Sequence, residues 1–88
     1  MTILHFNVQD TGVTKQVEYD DSCSAENFMK DYLKNNTNYV SIDVSKYTFK
    51  IGAKLLNSDK YKNEILKNLV REGGLVKVFR KEGVHYSN

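Results

Sequence analysis

The stretch from Ala25 to Leu33 carries its apolar residues at helical spacing, and it lies between runs that alternate. Ala25, Phe28, Met29, Tyr32 and Leu33 fall on one stripe of a helix. The preceding Asp20-Asp21-Ser22-Cys23-Ser24 supplies several oxygens able to cap the first turn, and Glu26 sits where the helix dipole favours an acid. Asn35-Asn36 can end the helix in a left-handed cap. An apolar stripe of this kind needs a surface to lie on, and an alternating strand offers one apolar face. The pattern therefore requires a helix packed on a sheet, an α+β arrangement.

The strands can be read on either side. Ile3 to Val8 alternates, with Leu4, Phe6 and Val8 on one face and Ile3, His5 and Asn7 on the other. After Asp10-Thr11-Gly12, Val13, Val17 and Tyr19 alternate with Thr14, Gln16 and Glu18, which predicts a hairpin. Lys15 interrupts the inward set, so either its side chain reaches out at the sheet end or the register contains a bulge. Thr37 to Ser45 reads as a connection, with a short extended piece around Val40-Ile42-Val44. Tyr47, Phe49 and Ile51 form a third strand, Gly52-Ala53-Lys54 turns the chain, and Leu55-Leu56 forms a short fourth. Ile65, Leu66, Leu69 and Val70 predict a second, shorter helix over residues 61–70. Gly73-Gly74 reads as a turn, and Leu75 to Phe79 closes the series with Val76 and Val78 inward. Leu4, Phe6, Val17, Phe28, Leu33, Phe49, Ile51, Leu56, Leu69, Val76 and Val78 are the expected core.

Composition narrows the class. At 88 residues the chain makes one domain that buries a little over ~60% of its unfolded surface, enough for one modest core. Thirteen Lys and Arg against eleven Asp and Glu leave a formal charge of +2, too small to mark a nucleic-acid binder by itself. The one cysteine, Cys23, cannot form an intrachain disulfide or a multi-cysteine metal site. No apolar run nears the ~20 residues of a membrane helix, and the first residues lack the sections of a secretory signal. These features lead us to expect an intracellular monomer, cytoplasmic or nuclear.

The order strand, strand, helix, strand, short strand, helical turn, strand resembles the β-grasp fold of the ubiquitin-like family. The resemblance covers residues 1–81 and leaves residues 82–88 as a polar tail. Its most specific stretch is Tyr47-Thr48-Phe49-Lys50-Ile51-Gly52-Ala53-Lys54-Leu55-Leu56-Asn57, which looks like the family's apolar strand, small-residue turn, lysine and leucine. The resemblance implies a four- to five-stranded mixed sheet on one main helix, in ββαββ order with a short second helix. It also implies a protein that works by being recognised or by being attached.

Recognition in that family commonly uses the outer sheet face. Lys50 stands there where ubiquitin has an aliphatic residue, and Lys77 and Phe79 match the family's polar-and-aliphatic pair on the last strand. His5 shares that face, so the resemblance implies a partner-binding surface of Lys50, Lys77, Phe79 and His5 that is unusually basic. A partner offering a carboxylate beside an apolar anchor would suit it, because burying an unpaired ammonium is costly. Attachment would need a tail ending in glycine. This tail ends Gly83-Val84-His85-Tyr86-Ser87-Asn88, so a conjugated modifier would have to be matured by proteolysis at Gly83. Lys54 matches a lysine that ubiquitin uses in chains.

Residues able to do chemistry are sparse. Cys23 at the helix start and His5 on the far sheet face should lie on opposite sides of the sheet, which leaves no cysteine–histidine pair. Asp20-Asp21 falls short of the six or more oxygens of a hard-cation cage and reads as a turn and cap. No glycine-rich phosphate loop or zinc spacing occurs. We expect no enzyme, no metal and no cofactor. Weak nucleic-acid binding is the remaining alternative, resting on Lys46, Lys50, Lys54, Lys60, Lys62, Lys67, Lys77, Arg80 and Lys81, but Asp59, Glu64, Glu72 and Glu82 dilute that field.

Overall fold

A computed structural model describes residues 2–35 and 43–80. β1 (Ile3–Asp10) and β2 (Val13–Asp20) form a hairpin, and α1 (Ala25–Asn35) follows. After a single 3-10 turn at Val44–Lys46 come β3 (Tyr47–Ile51) and β4 (Lys54–Leu55). A second 3-10 turn, Leu66–Asn68, precedes β5 (Leu75–Arg80). The five strands make one mixed sheet in the order β2-β1-β5-β3-β4, with β1 and β5 parallel at its centre and the other pairs antiparallel.

The hairpin turn is tighter than the three-residue link read from sequence. Thr11 and Gly12 both have positive φ, 50° and 80°, and connect Asp10 directly to Val13. Two left-handed central residues are what a two-residue hairpin needs to match strand twist. Thr11 is a β-branched residue in that region, and its hydroxyl donates to the Asp10 carbonyl at 2.7 Å. The register then runs unbroken to Ile3 opposite Asp20, so Lys15 opposes Val8 with no bulge. Lys15 is exposed because the helix crosses the sheet obliquely. Phe28 meets Tyr19 near the far end of β2, whereas Tyr32, one turn on, meets Phe49 of β3 and the Asp10 carboxylate.

Between helix and sheet lies an aromatic cluster. Phe28 contacts Tyr19, Phe6 and Phe49 edge-on, with centroids 4.9, 5.3 and 5.9 Å apart, the arrangement that ring quadrupoles favour. Leu4, Val8, Ala25, Met29, Tyr32, Leu33, Tyr47, Leu56, Leu66, Leu69, Val70, Val76 and Val78 complete the core. Two expected members, Val17 and Ile51, are only half-buried, since Val17 lies on the edge strand and Ile51 ends β3.

The second helix expected over residues 61–70 does not form, apart from the 3-10 turn. Its backbone is used elsewhere. The carbonyls of Glu64 and Lys62 accept from the N–H groups of Ala25 and Glu26, the donors that the start of a helix leaves unpaired. The N–H groups of Leu66 and Lys67 donate to Cys23 and Asp21, and Ser24 and Ile65 form an isolated bridge. Ser24 Oγ accepts from Asn27 N at 3.1 Å and is the side-chain cap. Asp20 instead closes its own turn, accepting from Ser22 N and Oγ, which hold its carboxyl below the ordinary aspartate value. Leu66, Leu69 and Val70 are buried, so their i, i+3, i+4 spacing reports burial without a continuous helix. Of the expected extended piece around Val40-Ile42-Val44, only Val44 is described, in the first 3-10 turn; the rest lies outside the described residues.

Asn57 holds β3 to the preceding segment. Its Oδ1 accepts from Phe49 N at 2.8 Å, and its Nδ2 donates to the carbonyls of Val44 and Tyr47, both at 3.1 Å. Asn57→Asp keeps the acceptor, loses both donors and sets a carboxylate against two carbonyl oxygens. We expect a loss of about 2–3 kcal/mol near neutral pH, in line with unsatisfied buried polar groups. The new carboxyl should have a folded-state pKa above its unfolded value, so stability should recover as pH falls through that value. Urea melts at neutral and acidic pH, compared with wild type, test this.

Candidate functional site

On the outer face of the sheet, opposite the helix, pairing sets the neighbours. Lys50 is directly opposite Lys77 on one side and Leu55 on the other; Lys77 is also opposite Gln9, and Phe79 is opposite Thr48. Leu75 is opposite Asn7, one same-face step from Lys77. Directly paired residues place their Cβ atoms ~4.5–5.5 Å apart, so the two ammonium stems stand side by side. Neither has a carboxylate partner among the described residues. Around them stand Leu55, Leu75 and Phe79, 36, 39 and 51% exposed.

The structure thus brings together three of the four expected binding residues and adds two leucines. The signal for them was present in the alternation. If Val76 and Val78 point inward, Leu75 points outward with Lys77, and if Leu56 points inward, Leu55 joins Lys50. His5 is on the same face but not in the cluster. Gln9, not His5, meets Lys77, and His5 lies four residues back along β1, about 13 Å at ~3.3 Å per residue. It is engaged there: Glu72 accepts from His5 N at 2.9 Å and meets the ring Nδ1 at 3.0 Å, while Glu18 lies 3.7 Å from Nε2.

Gly73 and Gly74 form the turn that the sequence predicts. Gly73 has φ +77° and donates to the His5 carbonyl, and Gly74 accepts from Asn7 N. A Cβ on Gly74 would fall 2.8 Å from Val70 Cγ2 and 2.9 Å from the Arg71 carbonyl. Lys54 is exposed on β4. Gly83, the possible conjugation terminus, lies outside the described residues.

Cys23 sits on the helix side of the sheet, half-buried against the core, and its thiol faces the Ser24 carbonyl at 3.4 Å. Burial, then the charges of Asp20 and Asp31, pushes the thiol up from its ordinary value, the opposite of an activated nucleophile. A cavity of about 860 Å³ lies between β2 and α1, beside Tyr19, Cys23 and Asn27. Its tyrosine hydroxyl donates to Asp31 at 3.0 Å, and burial followed by that contact raises the phenol far above its usual range. Its charges are mixed, with Glu18, Asp20 and Asp31 alongside Lys30 and Lys34. No helix among the described residues is long and apolar enough to cross a membrane.

No family model and no curated protein sequence matches the chain. Solved structures do. The solution structure of the ubiquitin-like domain of Arabidopsis thaliana protein At2g32350 superposes with a TM-score of 0.71 at 17% identity, over 93% of this chain and 81% of that one. A second determination of the same plant domain gives 0.67 over 91 and 88%. The N-terminal ubiquitin-like domain of the 4931431F19Rik protein gives 0.66 at 17% identity, over 98 and 82%. At this identity the likeness speaks for the backbone and leaves each protein's own partners aside. The mixed five-stranded sheet, its strand order and the single main helix are those of a ubiquitin-like β-grasp fold.

Proposed function

We propose that this chain is a non-enzymatic protein-interaction module, with residues 1–81 as the domain and residues 82–88 as a polar tail. It docks one partner protein through the outer sheet face. The observation that carries this reading is the cluster of Leu55, Leu75 and Phe79 around Lys50 and Lys77. Of the five large apolar side chains well exposed among the described residues, three stand in this one cluster, while Ile3 and Val13 lie at opposite ends of the hairpin. Apolar side chains gathered on a surface mark an interaction site where scattered ones do not. The two ammoniums set the partner's chemistry: an apolar anchor flanked by carboxylates gains both contacts, whereas a purely apolar partner would bury unpaired charge. His5, tied to Glu72, is a neighbour of this surface and not part of it.

A photo-crosslinking residue at position 79, compared with one at exposed position 30 on α1, tests the face directly. In extract from the source cells, position 79 should give a discrete crosslinked protein that position 30 does not. Equal products from both positions would contradict the reading.

A further inference from the structure

Beside the proposed docking face lies a second feature, a basin of about 490 Å³ between the β3–β4 turn and the segment leading into β5. Lys54 reaches it from the start of β4 and Lys67 and Arg71 from the two ends of one segment, and no carboxylate lines it. None of the three has an acidic partner among the described residues. Glu64 touches this wall from behind: it accepts from Asn68 Nδ2 at 3.0 Å and from Ile65 N, which hold its carboxyl below the ordinary glutamate value. The wall itself is fixed. Because Gly74 lacks a Cβ, the Val70–Arg71 turn packs close against it, and Gly74 N donates back to the Arg71 carbonyl at 2.8 Å.

The kind of anion follows from which donors are left. A compact phosphate site is built from converging backbone N–H groups. Here the N–H groups of Lys67, Asn68, Leu69, Val70 and Gly74 are all committed to carbonyls of the fold. What remains, beside the N–H groups of Gly52 and Arg71 on separate stretches of the lining, is a set of long cationic side chains spread around a wide basin, which suits several spaced carboxylates better than one phosphate. Leu75 lines the basin and also belongs to the exposed apolar cluster, so the two surfaces are continuous.

We propose that the basin formed by Lys54, Lys67 and Arg71 receives an acidic, glutamate- or aspartate-rich stretch of the same partner whose apolar anchor sits on Leu55, Leu75 and Phe79. This rests on the docking reading above, and the experiment separates the two. The probes are a synthetic peptide with a pair of leucines followed by a run of glutamates, and its counterpart with glutamines. Each is titrated into the isotopically labelled chain while backbone amide shifts are followed. The glutamate peptide should shift amides at 50, 55 and 75–79 and also at 67–71, whereas the glutamine peptide should shift only the first set. The glutamate run should tighten binding about tenfold at low salt and lose that gain near ~1 M salt, where the screening length falls to ~3 Å. In the combined variant K54Q, K67Q and R71Q, all exposed positions, the glutamate peptide should lose its shifts at 67–71 and most of its tenfold gain, keeping only what Lys50 and Lys77 supply. Equal binding of both peptides to the wild-type sheet face, with 67–71 silent, would overturn the basin proposal and leave docking intact. Silence of the sheet face with either peptide would remove the docking reading and this inference with it. Inorganic phosphate or single-stranded RNA displacing the glutamate peptide from 67–71 at lower concentration would overturn the choice of ligand.

Discussion

Replacing Phe28 with alanine is expected to remove about 3–5 kcal/mol, the usual cost of emptying a buried phenylalanine site. The full cost is expected because this ring has no freedom to be replaced by relaxation. It is fully buried and meets Tyr19, Phe6 and Phe49 edge-on, so its loss leaves three rings facing a void. At roughly 0.05–0.15 kcal/mol per residue, a domain of this length holds ~4–13 kcal/mol in total. Phe28→Ala should therefore remove between about a quarter and all of that stability. Phe28→Leu, which keeps most of the volume, should cost clearly less. Urea denaturation followed by far-UV circular dichroism reads both. A midpoint unchanged by Phe28→Ala would mean that the helix does not pack where the structure places it.

The second large effect concerns binding and has opposite signs for stability and affinity. Lys50 and Lys77 face each other across β3 and β5, a like-charge pair that costs the sheet a little. Lys50→Glu turns that pair into an attractive one and should stabilise the fold by about 0.2–1 kcal/mol. The same change should weaken a partner that brings carboxylates to this face. Reversing both lysines should weaken it by about a hundredfold, equivalent to ~2.7 kcal/mol. For Lys50→Glu alone, a fold made firmer while binding weakens cannot be explained by general damage; the double reversal restores a like-charge pair and carries no gain in stability. Lys34→Glu on α1, exposed and on the other side of the molecule, is the control and should leave affinity unchanged. Calorimetric titration of the crosslinked partner, once isolated, gives the affinities. Undiminished binding by the double reversal would place the interface elsewhere.

Much of this architecture could be read from residue periodicity because each main element carries an uninterrupted pattern. Leu4-Phe6-Val8, Tyr47-Phe49 and Val76-Val78 alternate without a break, and Ala25 to Leu33 keeps a single stripe; the apolar residues of these patterns are buried, including Val8, Ala25, Met29 and Tyr32, which lie outside the expected core. The segment 61–70 misled for a physical reason. Its apolar spacing reflects a chain wrapped over the core, while its carbonyls and amides serve the start of α1, a tertiary demand invisible in local sequence. Tyr47 was missed from the core, although its alternation with Phe49 already pointed inward.

The candidate site was partly readable for a similar reason. Which face a residue occupies follows from alternation, and this placed Lys50, Lys77 and Phe79 correctly. Which residues are neighbours depends on register between strands distant in sequence. The parallel pairing of β1 with β5 sets Gln9, not His5, beside Lys77, and no local pattern encodes that offset. The basic basin was out of reach, since Lys54 meets the Lys67–Arg71 segment only through the folded path of the chain.

The outer sheet face as the partner's seat is the claim on which the functional account depends. The most direct measurement is an amide chemical-shift map of the labelled chain with its crosslink-identified partner. The account predicts perturbations at residues 50, 55 and 75–79, with α1 quiet from residue 25 to 35. Perturbations that instead follow β2 and α1 along the larger groove beside Tyr19, with residues 75–79 unmoved, would contradict it.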